Sequence, residues 1–151
     1  MKINAALIVL ITPLMIASCS LFKTSQVPDW YTAEYDESQY LYGKGRASSA
    51  REDLANKKAE TAASSDLNNK ISEELKRIVG QTLARQGIAA DDSLAQPYYD
   101  STIKLNRNIA GLTESANKEV RKAENVYHVF LLLRVNREEL EKRYLDQLSR
   151  N

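Results

Sequence analysis

Hydrophobic and polar residues begin to alternate at Tyr40. Leu41, Gly43, Gly45 and Ala47 fall on one face, and Tyr40, Tyr42, Lys44 and Arg46 on the other. A period of two predicts a β-strand, here with one face made almost entirely of small groups. Beyond Ser48 and Ser49, either of which can cap a helix, apolar residues recur at steps of three and four: Leu54, Ala55, Ala59, Ala62, Ala63, Leu67, Ile71, Leu75, Ile78 and Val79. That stripe predicts a long amphipathic helix, alanine-rich in its first half and leucine/isoleucine-rich in its second. Leu83 keeps the phase, and the helix is expected to end at Gly80 or Gly87. Residues 88–100, with Asp91-Asp92-Ser93, Pro97 and the pair Tyr98-Tyr99, read as an exposed connection. Ile103, Leu105 and Ile109 mark a second strand, bent at Gly111 and continued by the polar run 113–121. A turn over 122–125 leads into 126–135, the strongest strand in the chain. Asn136 and Glu139 have capping-box spacing, and Leu140, Tyr144, Leu145 and Leu148 form the stripe of a short last helix.

Two of these surfaces explain each other. A helix that turns back over the strand it came from lays its first half on that strand, so its alanines meet Gly43, Gly45 and Ala47. The last strand poses a conflict instead: Tyr127, Val129, Leu131, Leu133 and Val135 suit a core face, yet Phe130 and Leu132 make the opposite face apolar too. Helices on one side only would leave that second face bare. Burial between copies of the chain would resolve it, which makes Phe130 and Leu132 candidate interface residues. Tyr98 and Tyr99 are a second candidate contact surface. The expected fold class is α+β: a small antiparallel sheet of about three strands on one long helix, with a short C-terminal helix.

The N-terminus has another character. Lys2 precedes an apolar run from Ala5 to Met15, interrupted only by Thr12 and Pro13, and the run ends in Ile16-Ala17-Ser18-Cys19. This is the layout of a secretory signal, too short and interrupted to span a bilayer. The last four residues resemble a bacterial lipobox, which implies cleavage between Ser18 and Cys19 and acylation of Cys19. Cys19 is the only cysteine, so in an oxidising compartment it has no intrachain partner. The competing reading is an ordinary cleaved signal that leaves a plain thiol. Ser20 in place of an aspartate implies sorting to the outer membrane. Residues 1–18 are thus read as signal peptide, 19–28 as lipidated terminus and linker, and 29–151 as one domain. The linker reaches roughly 30 Å when fully extended, which holds the domain close to the bilayer.

Composition narrows the chemistry. The chain has 21 basic and 20 acidic residues, and losing the signal removes only Lys2 among them. A balanced charge gives no reason to expect nucleic acid as a partner. His128 is the only histidine, so a zinc site of ordinary type cannot be built from it. The serines near it show no nucleophile-elbow pattern, and Asp91-Asp92 reads as loop solvation. Gly45-Arg46-Ala47-Ser48-Ser49 before a helix start could be read as an anion site, but it lacks Walker spacing and its glycines already have a packing role. Trp30, the only tryptophan, reads as a lid on the core. No catalytic residue, metal site or cofactor is expected.

Pro28-Asp29-Trp30, the strand 40–47, Lys58-Ala59-Glu60 in the helix and Tyr127-His128-Val129-Phe130-Leu131 together resemble the Helicobacter-type twenty-kilodalton outer-membrane lipoprotein family, which includes a flagellar basal-disk lipoprotein. The resemblance implies a dodecin-like fold and envelope location, and for some members polymerisation into rings or disks around a flagellar motor. It carries over no catalytic residue. Two functional expectations follow. The first is a non-enzymatic scaffold held to the outer-membrane bilayer through Cys19, forming homo-oligomers and meeting flagellar or other envelope proteins. The second is a small-ligand binder of flavin type, with Trp30, Tyr98 and Tyr99 as the aromatic clamp in an oligomer.

Overall fold

The computed structural model describes residues 27–107 and 109–150, so Ser18 and Cys19 lie outside the described residues. A single helical turn, α1 (Asp29–Thr32), precedes strand β1 (Tyr40–Ser49) and the long helix α2 (Glu52–Gln86). Helix α3 (Gln96–Arg107), strands β2 (Glu114–Ala123) and β3 (Val126–Asn136) and helix α4 (Arg137–Leu148) complete the order. The strands form one antiparallel sheet in the order β1-β3-β2. The expected class, an α+β fold with a three-stranded sheet, one long helix and a short C-terminal helix, is the observed one. The most apolar strand, β3, takes the centre, where both of its edges are paired and both of its faces can be covered.

Small residues decide where α2 sits. Leu41, Gly43 and Gly45 are buried on the face of β1 turned to the helix, opposite Val135, Leu133 and Leu131 of β3. A Cβ at Gly43 would stand 2.5 Å from Leu67 Cβ and strike the Ala63 carbonyl oxygen; one at Gly45 would stand 2.5 Å from Ala63 N and strike the Ala59 carbonyl oxygen. The helix backbone therefore lies directly on the strand. Ala55, Ala59 and Ala63 pack with Val129 and Leu131 in a thin first core. Further along, Leu67, Ile71, Leu75, Ile78, Val79 and Leu83 replace the alanines and hold a thicker core that admits α3 and α4. Of the expected stripe only Leu54 and Ala62 face solvent.

The helix ends as the pattern predicts at Gly87, which is left-handed at φ 68°, while Ile88 N–H closes back onto Leu83 O at 3.0 Å. Its start differs. Ser48 and Ser49 stay in β1, and the first turn opens at Glu52 behind Arg51 with no side-chain cap. Two acidic residues, Glu52 and Asp53, occupy that first turn and suit its positive end.

The stretch 103–109 is not a strand. It belongs to α3 and a following 3₁₀ turn (Ile109–Leu112), and β2 begins only at Glu114. The buried positions are Ala95, Ser101, Leu105 and Ile109, with Tyr98 half-buried, and these recur at three and four residues while Ile103 faces solvent. Pro97 sits in the first helical turn, where a missing N–H costs nothing. The expected connection 88–100 accordingly shortens by the first turn of α3.

Helix α4 begins as expected, with Asn136 Oδ1 accepting Glu139 N–H at 3.0 Å. Leu140 and Tyr144 are fully buried, but Leu145 is 45 % exposed. Burial, with smaller effects from Tyr98 and Tyr99, pushes the Tyr144 phenol up to about 12. An ion cluster around one buried carboxylate ties the sheet-to-α4 corner to α2. Glu74, only 5 % exposed, receives Arg77 in a two-pronged contact (2.6 and 3.1 Å) and Arg137 Nη1 at 2.7 Å. The Arg77 hydrogen bonds, followed by the nearby Arg137 charge, hold the Glu74 carboxyl below its ordinary range despite burial.

Gly45→Val should cost about 3 kcal/mol or more in urea unfolding, since neither backbone can give way, whereas Gly80→Ala, in open space within α2, should gain roughly 0.5–1 kcal/mol. Because the Glu74 value is lowered by folding, its contribution is complete above the unfolded carboxylate value, about 4.3, and is lost as pH falls through the native one. Glu74→Gln should therefore lose about 1–2 kcal/mol at neutral pH and show a weaker acid-induced decline in melting temperature than the unsubstituted chain.

Candidate functional site: the strapped face of the sheet

The sheet face away from α2 carries a connected set of polar and aromatic side chains. Register aligns them in rows across the three strands. Ser48, His128 and Arg121 form one row, Arg46, Phe130 and Glu119 the next, then Lys44, Leu132 and Asn117, and finally Tyr42, Arg134 and Glu114. Across this surface runs a strap, residues 28–35, the first described part of the chain.

The strap is fastened at several points. The Tyr31 ring meets Phe130 edge-on at 5.4 Å, and Trp30 meets Tyr31 at 5.8 Å. Trp30 Nε1 donates to Glu119 Oε2 at 3.2 Å, and Tyr35 donates its hydroxyl to Trp30 O at 2.6 Å. Tyr35 packs on Tyr42 at 4.7 Å, and Lys44 Nζ reaches Ala33 O at 2.6 Å. From the sheet side, the Arg121 guanidinium stands 6.0 Å from the Phe130 ring centre and pairs with Glu119 at 2.5 Å.

This arrangement corrects the expected interface. Phe130 is 4 % exposed and Leu132 2 % exposed within a single chain. The second apolar face of β3 is real, but the strap and the long polar side chains beside it already cover it, so no second copy is needed there. Trp30, expected as a lid on the core, instead packs edge-on against Tyr31, and Tyr31 is the ring that lies against Phe130.

The electrostatics are local. Arg121 first, and the Trp30 indole second, hold the Glu119 carboxyl below its ordinary range. Burial raises the Tyr31 phenol, opposed by the Arg46 charge. Ser48 Oγ lies 2.8 Å from His128 Nδ1, a pairing between residues eighty positions apart. Sequence reading missed this pair; only the β1–β3 register, anchored on Gly43 opposite Leu133, sets Ser48 against His128. Among the described residues no cluster of three or more His, Cys, Asp and Glu side chains could hold a metal ion. The anion reading of 45–49 gives way to packing: both serines belong to the strand, and Glu52 and Asp53 occupy the helix start.

Tyr98 and Tyr99 lie elsewhere, on α3. Tyr98 is half-buried and its carbonyl lies 3.5 Å from the Tyr144 hydroxyl, while Tyr99 is partly exposed and donates to Ala90 O at 3.3 Å. Within one chain, therefore, Trp30 and the two tyrosines do not form a common clamp. Leu94 and Ile103, 63 % and 51 % exposed, lie beside Tyr99 in sequence. A shallow cavity of about 270 Å³ lies between α3 and α4, lined by Leu105, Leu112, Arg143 and Arg150 among others. No protein-family model matches the chain, and no curated protein matches it.

The strap predicts a spectroscopic result. Tyr31→Ala should lower stability by about 2 kcal/mol, and it should make Trp30 fluorescence more accessible to acrylamide. Unchanged quenching would mean that Tyr31 does not hold the strap down.

Proposed function

We propose that the chain is a non-enzymatic, lipid-anchored outer-membrane lipoprotein that acts as an envelope scaffold or assembly module, suited to a structure such as a flagellar basal disk or ring. The observation that carries this reading is Cys19 in its lipobox-like setting, placed nine residues ahead of Pro28, where the strap begins. Several acyl chains on that residue hold a protein on a bilayer nearly irreversibly, at about 0.8 kcal/mol per buried CH₂. The strap then fastens the incoming chain across the sheet, so the domain is carried close beneath its anchor rather than on a long stalk.

The scaffold reading also agrees with where the sequence has put its polar chemistry. Glu119, Arg121, Trp30 and Lys44 spend their hydrogen bonds on strap and sheet. Flavin binding finds less support, because Trp30 lies in the strap while Tyr98 and Tyr99 lie on α3.

Cys19→Ser should move the protein from the membrane pellet to the soluble fraction, and mass spectrometry of the wild-type N-terminal peptide should show a diacylglyceryl-modified cysteine. A wild-type chain that begins at an unmodified residue and partitions into buffer would end the anchor proposal.

A further inference from the structure

We propose that the outer edge of β2 pairs with the same edge of a second copy, joining two three-stranded sheets into one six-stranded antiparallel sheet about a two-fold axis at Val120. This deepens the assembly reading by naming a partner and a surface for it.

The two edges of the sheet are not equivalent. On β1 the close approach of α2 brings Asp66 over the edge, and its carboxylate accepts the Lys44 backbone N–H at 2.9 Å. A backbone group that would receive another strand is thereby taken. On β2 the outward Lys118 N–H donates at 2.9 Å to Oδ1 of the preceding residue, Asn117, a local bond that an incoming strand would replace, whereas Asp66 is held over β1 by the packed helix α2.

Register fixes which groups face outward. Lys44 N–H points away from β3, so Gly43 and Gly45 face β3, and by alternation Phe130 and His128 face β2. Their partners Glu119 and Arg121 then point inward, and Lys118, Val120 and Lys122 present N–H and C=O to the outside. The Lys118 N–H found outside the ladder agrees with this.

Charge then selects the axis. An antiparallel pair of identical strands that matches outward groups to outward groups must have its axis on a residue, which meets its own copy. At Lys118, Glu119, Arg121 or Lys122 that residue would set like charge on like charge. Val120 is the one uncharged position between them, apolar and 38 % exposed. With the axis there, Glu119 of each copy lies opposite Arg121 of the other, so the two in-chain Glu119–Arg121 pairs line up as one row of alternating charge. Lys118 then faces Lys122, but each already has a partner in its own chain: Glu60 at 3.9 Å for Lys118 and the Tyr127 ring at 4.9 Å for Lys122. The irregularity between Ser115 and Asn117 and the left-handed turn residue Glu124 (φ 55°) bound the pairable stretch at its two ends. Since the β1 edge is obstructed, the pairing closes at two copies instead of growing into a fibre.

The test uses the full-length chain: cross-linking is read in membranes, or in the soluble fraction for Cys19→Ser, and light scattering on the purified protein. A residue meeting its own copy in a hydrogen-bonded antiparallel pair has Cα atoms about 5.5 Å apart, within disulfide reach. Val120→Cys should therefore give a disulfide-linked dimer under mild oxidation, at least about tenfold more than Glu73→Cys on the exposed face of α2. Running both in a Cys19→Ser background separates the two ideas. A dimer in the unsubstituted chain that vanishes in that background would report a free Cys19 thiol and refute the anchor alone. Val120→Lys should raise the dimer dissociation constant by about tenfold or more in light scattering, with the helical circular-dichroism signal intact. Equal cross-linking at Val120 and Glu73, or a wild-type chain that scatters as a monomer because its own N-terminal segment or another protein's strand holds the edge, would overturn the pairing.

Discussion

The contact between Gly43, Gly45 and the backbone of α2 sets the geometry of the whole molecule. With no Cβ on either glycine, the helix lies on β1 at backbone distance over its alanine half, then is held off by leucine and isoleucine over the rest. The interior is therefore a wedge. Its thin end needs nothing more than Ala55, Ala59 and Ala63, and its thick end has room for α3, Leu140 and Tyr144. The same closeness carries Asp66 over the sheet edge. Helix position, core shape and the inequality of the two edges thus descend from two residues without side chains.

The other face answers a different demand. A central strand that is apolar on both sides must be covered on both sides, and among the described residues the one long helix, α2, covers only one of them. The strap supplies the missing layer from a few aromatic rings and hydrogen bonds. Lys44, Arg121 and Arg134 extend that cover by laying their stems and cationic heads over Tyr35, Phe130 and Tyr40. The helix side is closed by apolar packing, the strap side largely by directed polar and aromatic contacts. Their separate chemistry lets one face be loosened without dismantling the other.

Much of the fold was legible in the chain because it is written locally. The alternation at 40–47, the alanine stripe and Asn136 as helix start each need only neighbouring residues and are as expected, and of the two glycines offered as helix stop the second, Gly87, is the one used. The matching of glycines to alanines was readable as well, since both surfaces are small in the same place. Residues 103–109 were misjudged because Ile103, Leu105 and Ile109 fit a period of two as readily as one of four; the true stripe runs through Ser101, a residue whose burial no hydropathy pattern announces. The cover of Phe130 and Leu132 escaped because it comes from residues about a hundred positions earlier. Ser48 with His128, and Glu74 with Arg137, depend on register and on a corner of the tertiary structure, and have no local signature at all.

The strap also determines how the domain would respond to mechanical load. Any pull on the chain upstream of Val27 enters the folded part at Pro28, next to Trp30 and Tyr31, and reaches β1 only after passing through the strap. Force applied there would lift the strap's fastenings one after another, a peeling geometry in which each link fails at low tension. The glycine-helix junction, lying on the opposite face, would be loaded last. Such a load would therefore spend the aromatic cover first and leave the wedge-shaped core whole.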